Sequence, residues 1–173
     1  LDGKTDKDIY FFQAADKVFR HYGFEGNPWS TSVQYKTSIL DRDDFPKNSG
    51  FSVDFYFDVE NGVNQKNLKA AIERPELWSF SINGKNISVS AGESWLDRAI
   101  GVYDIGDYVK TGKNKITLST SPMTVRTELE PIYLLGDFHL ESQQKGWKLV
   151  PSQKLVLNSW KKQGLPFYSD GVE

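Results

Sequence analysis

Two hydrophobic periods divide this chain. Between Asp8 and Tyr22 the apolar residues Ile9, Phe12, Ala15, Val18, Phe19 and Tyr22 recur three or four positions apart, which puts them on one face of a helix of roughly four turns. Asp6 or Asp8 is placed to cap its start, and Gly23 stands where such a helix stops. Gly26-Asn27-Pro28 is then a turn. From Trp29 onward the period changes to two. Val33-Gln34-Tyr35-Lys36 alternates, and Phe51, Val53, Phe55 and Phe57 share one face of a half-buried antiparallel strand.

Further strands are expected at Leu68 to Glu73, Trp78 to Ile82, Asn86 to Val89, Lys115 to Ser119, Ile132 to Leu135, Phe138 to Glu141 and Lys154 to Leu157. Asn83-Gly84 between two of them is a strong short hairpin signal. Tyr103 to Val109 reads as a short helical or turn connection, and Thr111-Gly112-Lys113-Asn114 as a turn. Many short strands punctuated by Gly, Asn, Asp and Pro predict an all-β sandwich or barrel, and no strand–helix alternation supports a parallel sheet. With 173 residues the chain can bury such a core without staples.

Composition narrows the chemistry. There is no cysteine, so thiol catalysis, disulfides and thiolate metal sites are excluded together. A net charge of −2 with scattered Lys and Arg gives no footprint for nucleic acid, and no apolar run is long enough for membrane insertion. The two histidines, His21 and His139, belong to no spaced metal motif, and neither a nucleophile elbow nor a phosphate-binding glycine loop is present. Asp41, Asp43 and Asp44 are the densest carboxylate group; they are candidate ligands for a structural Ca²⁺, or an Asp-rich turn before Pro46. No other cofactor is expected.

Aromatic residues make up 14% of the chain, more than a core alone requires, and aromatic planes are the surfaces on which sugar rings lie. Trp29 in a turn, Trp95 beside Asp97 and Arg98, and Trp147 after Gly146 are candidates for such a surface, whereas Trp78 at a strand start is read as core.

Several segments occur in a fixed order: Glu73-Arg74-Pro75-Glu76-Leu77-Trp78, Ile82-Asn83-Gly84-Lys85, Trp95-Leu96-Asp97-Arg98, Tyr103-Asp104-Ile105 and Lys110-Thr111-Gly112-Lys113-Asn114. Pro131-Ile132-Tyr133-Leu134-Leu135-Gly136-Asp137-Phe138 and Gly164-Leu165-Pro166-Phe167-Tyr168 follow them. This order, over about Trp29 to Glu173, resembles the sugar-binding-like β-sandwich domains of glycoside hydrolase family 2 and related large bacterial glycosidases. The resemblance implies a galactose-binding-like jelly-roll, non-catalytic, packed beside a separate catalytic domain of the same polypeptide. It also implies a secreted, periplasmic or cell-surface bacterial protein, with an oligosaccharide or polysaccharide as the ligand if one is bound. In that case Trp95 is expected to stack on the sugar, Asp97 to accept hydroxyl hydrogen bonds, and Arg98 to orient Asp97 or bind an acidic sugar. Residues 1–28 are then a helix and linker from a preceding domain, and 29–173 the sandwich. The chain's end, soon after Pro166-Phe167-Tyr168, reads as a cut, which fits a module better than a finished protein. Two alternatives stand beside this one: an autonomous lectin-like protein, and a small glycosidase using two of the carboxylates.

Overall fold

The computed structural model describes residues 5–31, 35–88 and 93–167. The expected helix is present as α1 (Phe11–His21), and it ends as the sequence requires. Gly23 takes a left-handed φ of 85°, its N–H donates to the Arg20 carbonyl, and the Phe24 N–H reaches back to Phe19. The Phe19 and Phe24 rings close this C-terminal motif edge to face, 5.4 Å apart. The start differs from expectation. Neither Asp6 nor Asp8 caps it; Tyr10 is the cap residue, and its N–H donates to Gln13 Oε1 at 3.3 Å. Asp8 instead pairs with Lys145.

Among the described residues, ten strands form two sheets, the layout of an all-β sandwich. They are β1 (Phe51–Val59), β2 (Lys69–Glu73), β3 (Ser79–Ile82), β4 (Lys85–Ile87), β5 (Ser94–Trp95), β6 (Asp97–Asp104), β7 (Gly112–Thr120), β8 (Tyr133–Leu135), β9 (Phe138–Ser142) and β10 (Trp147–Pro151). The large sheet runs β4-β3-β7-β1-β10-β9 and the small one β5-β6-β2-β8. β1 shows the predicted alternation, with Ser52, Asp54 and Tyr56 exposed between buried or half-buried aromatic and branched residues. The hairpin at Asn83-Gly84 is also as read, both residues having the positive φ that a tight two-residue turn requires.

Four expectations change. The strand set at Lys154 to Leu157 is irregular and exposed, and the strand lies earlier, at β10. A three-residue apolar run says nothing about pairing; β10 is ordered because it has partners on both edges, antiparallel to β9 and parallel to β1. That parallel pair, Asp58 to Lys148 and Val59 to Leu149, makes the large sheet mixed rather than purely antiparallel. Trp95 to Arg98, read as a loop, is the β5–β6 junction, and Leu96 makes the turn at φ 62°. Tyr103 and Asp104 finish β6, so only the residues after them form the expected turn. Tyr35 to Ser38 is a helical turn rather than part of an alternating strand; Val33, Gln34 and Val89 lie outside the described residues.

One core joins these parts. Ala15, Val18 and Phe19 of α1 belong to the same buried cluster as Ile72 of the small sheet, and as Phe80, Ile82, Ile116, Leu118 and Leu149 of the large one. A polar lock sits at one end of it. Asn114 is 1% exposed, and its side chain accepts from Lys110 N while donating to the Lys110 and Gly112 carbonyls at 2.7 and 2.8 Å. Asn83 of the hairpin donates to Asn114 Oδ1 and to the Tyr108 carbonyl, both at 2.9 Å. Asn114→Ala strands these buried groups and should cost about 3 kcal/mol in urea unfolding, whereas Asn86→Ala on exposed β4 should cost less than about 0.5 kcal/mol. Equal effects of the two changes would refute the lock.

Candidate functional site on the small sheet and its adjoining cleft

The small sheet has one face in the core and one outside. Ala70 and Ile72 of β2 pack inward, so alternation sends Lys69, Ala71 and Glu73 outward. The pairing carries this parity across the sheet: Ala71 lies opposite Val102 on β6 and opposite Tyr133 on β8. Trp95, on β5 at the far edge, comes within 5.2 Å of the Tyr133 ring at a tilt of 55°. Adjacent strands lie about 4.8 Å apart, so the backbones of these two residues are separated by two intervening strands and about 14 Å. The rings can meet only by lying over β6 and β2. The small Ala71 side chain leaves room for that, and its 0% exposure on an outward-facing position records the cover. Tyr133 itself remains 46% exposed. At one end of this aromatic pair Lys69 bridges Glu93 at 3.4 Å and Asp104 at 3.7 Å, which raises the lysine's pKa.

At the other end the face runs into a cleft lined by Glu73, Arg74, Arg126, Glu128, Glu130 and Trp29. Each wall is set by local structure. Trp29 lies in a short helix (Pro28–Thr31), and its indole N–H donates to the Val125 carbonyl at 2.6 Å. Asn27 accepts from the Trp29 N–H and donates to Glu128 Oε1 at 2.7 Å, tying the N-terminal segment to the opposite wall. Arg74 follows β2 in a left-handed conformation, φ 45° and ψ 57°, with its N–H on the Ala99 carbonyl at 2.7 Å. Thr127-Glu128-Leu129-Glu130 alternates, and with Thr127 and Leu129 buried both glutamates turn toward the cleft.

The cleft is electrostatically strained. Burial pushes the Glu130 pKa up, and the charges of Glu128 and Glu73 add to it. Burial also raises Glu128, with Glu73 adding and the Asn27 hydrogen bond and Arg74 opposing. Both groups therefore favour the neutral acid more than a free glutamate does.

The residues singled out in the sequence divide among several places. Trp95 lies in the aromatic pair, and Trp29 lines the cleft. Arg98 is exposed on the same parity of β6 as Ile100 and Val102. Asp97 has opposite parity, and its Oδ1 accepts from Ala99 N at 2.7 Å, shaping the turn rather than facing the Trp95 ring. Trp147 is on the other sheet, edge to face with Phe167 at 5.5 Å, in a separate groove with His139 and Gly164. Asp43 Oδ1 accepts from Val125 N at 2.9 Å, and Arg42 lies over the Phe24 ring. Among the described residues, Asp41, Asp43 and Asp44 form no group arranged to hold a metal ion, and no other such group is present.

Tyr133, Glu73, Arg74, Arg126, Glu128 and Glu130 are the site residues that the sequence reading missed. Alternation around Leu129 was the available signal for the two glutamates, whereas nothing local pointed to Tyr133 as an exposed ring. No helix among the described residues is long and apolar enough to cross a membrane. Comparison of the chain with family models, curated proteins and solved structures gives no match.

The raised carboxyls set a pH dependence. A group with a raised folded pKa contributes stability that is complete below its unfolded value, about 4.3 for glutamate, and is lost as pH rises through the folded value. Glu130→Gln removes one such group. Its urea unfolding free energy should therefore fall less between acidic and neutral pH than the parent's, and near neutrality the variant should be at least as stable. A steeper fall in the variant would contradict the assignment.

Proposed function

We propose that this chain is a non-catalytic accessory β-sandwich module of a bacterial glycoside hydrolase, and that it binds carbohydrate on the outer face of its small sheet. The Trp95–Tyr133 pair carries this reading. Two rings drawn together across two strands form an apolar surface about as wide as a sugar ring, with carboxylates, an ammonium and guanidiniums at its edges to meet hydroxyls. The ordered segments described above support the galactose-binding-like jelly-roll assignment and a place outside the cytoplasm, where polysaccharide is met. The partner in the same polypeptide is a catalytic domain.

A second reading rests on a different surface. Tyr10 and Phe12 are exposed and stacked 5.5 Å apart with an 8° interplanar angle, and Trp147 and Phe167 form another exposed pair. Aromatic surface of this kind suits docking against the neighbouring domain, which makes the module a spacer.

A glycan array followed by calorimetry tests the first reading. Saturable binding should appear, fall at least tenfold in Trp95→Ala and in Tyr133→Ala, and persist in Trp147→Ala. Loss in Trp147→Ala with retention in Trp95→Ala would move the site to the large sheet. The isolated chain should not hydrolyse aryl glycosides; turnover abolished by Glu128→Gln would replace this reading with that of a carboxylate glycosidase.

A further inference from the structure

We infer that the cleft beside the aromatic pair is a selectivity subsite, and that it selects an uncharged, hydroxyl-rich sugar over one carrying a carboxylate or an ammonium group. This rests on the carbohydrate-binding reading of the outer face.

The first argument is continuity. Glu73 belongs to both surfaces: it lies on the outer face two residues beyond Ala71, and it lines the cleft. Two residues of strand span about 6.8 Å, close to the width of one sugar ring. A ring seated on Trp95 and Tyr133 therefore presents its edge to the cleft.

The second argument is the lining. Three carboxylates accept hydrogen bonds and two guanidiniums donate them, around the edge of Trp29. A hydroxyl is donor and acceptor at once, so it satisfies either kind of wall. An anionic substituent would be drawn to Arg74 and Arg126 but repelled by Glu73, Glu128 and Glu130, so opposed charges leave little to offset its lost hydration. A cationic one would meet the same walls with the signs reversed, attracted by the carboxylates and repelled by the guanidiniums, and it too gives up part of its hydration.

Size is the third. The cavity is about 40 Å³, far below the roughly 300 Å³ and more of pockets that enclose a whole ligand. It suits a hydroxymethyl group or a ring hydroxyl rather than a whole ring. The cleft thus reads one edge of a sugar whose body stays on the aromatic pair.

Arg74 supplies an independent mark. Its backbone occupies the left-handed region that glycine adopts without strain, yet a long cationic side chain is kept there and aimed into the cleft.

The test compares galactotetraose, tetragalacturonic acid and a glucosamine tetramer by calorimetry at about pH 6, where an amino sugar is charged. The proteins are the parent chain, Trp95→Ala, Arg74→Gly and Glu130→Gln. The parent should bind the neutral tetramer at least tenfold more tightly than either charged one. Arg74→Gly should weaken the neutral ligand at least fivefold while its thermal midpoint stays equal or rises, which a purely structural arginine would not produce. Glu130→Gln should narrow the discrimination against the uronate. Binding that is lost in Trp95→Ala but unchanged in Arg74→Gly and Glu130→Gln would overturn the subsite and leave the aromatic face standing, as would a preference for either charged tetramer. Failure of the parent to bind any of the three, or any other arrayed glycan, would overturn both readings.

Discussion

The crossing from the small sheet to the large one is held by the hydrogen bonds of one buried amide. Asn114 stands near the start of β7, where the chain has just left the small sheet for the large one, and its side chain closes the Lys110 to Gly112 turn from within. Asn83 meets it from the β3–β4 hairpin and also holds the Tyr108 carbonyl of the same crossing. Asn83 Oδ1 in turn accepts from Lys115 N, so the hairpin's position also fixes the register of β3 against β7, Ile82 opposite Ile116. Slipping that register by one residue would turn Ile82 and Ile116 away from the core. A polar network can define geometry this sharply because leaving any of its members unpaired in the interior is costly.

β2 converts that framework into a site. Five residues serve two environments, with Ala70 and Ile72 in the core and Lys69, Ala71 and Glu73 on the outer face. On the outer face Ala71 is the unusual member, because strands favour larger branched side chains. Its smallness lets rings from opposite edges of the sheet meet above it, and a leucine there would hold them apart. The adjoining cleft shows the reverse economy: Glu128 and Glu130 are half-buried near Glu73, which raises the cost of the ionised state. Stability would be served by removing one of them. Polar groups gathered at such a cost are common where a ligand must be oriented.

What the sequence disclosed follows from which forces are local. The helix period of Asp8 to Tyr22, the stop at Gly23, the alternation of β1 and the Asn83-Gly84 turn are all decided within a few residues, and the structure has each of them. β10 is decided by partners far away. Trp147 to Pro151 has one fully inward residue, Leu149, and ends in proline, so it looks weaker alone than Leu155-Val156-Leu157. Pairing with β1 and β9 orders the former, and no strand takes up the latter. The site was half legible for the same reason. Trp95 and Trp29 stand out by residue type, whereas Tyr133, Arg74 and the two glutamates gain significance only through cross-strand register and the return of residues 124–130 past Trp29.

Tryptophan count by itself therefore carries little information about binding; parity and neighbours decide. Trp78 precedes β3 and packs edge to face on Phe51 inside the core, 5.6 Å between ring centres. Trp29 has its N–H on the Val125 carbonyl and leaves an edge to the cleft. Trp147 meets Phe167 on the far side of the sandwich. Trp95 alone of these four meets Tyr133 over the outer face of the small sheet, and it does so at the register shift between Ser94 and Trp95, where β5 turns into β6. One residue inserted in the tight turn at Leu96 would shift that junction, remove the ring from Tyr133 and erase the surface while barely altering the composition of the chain.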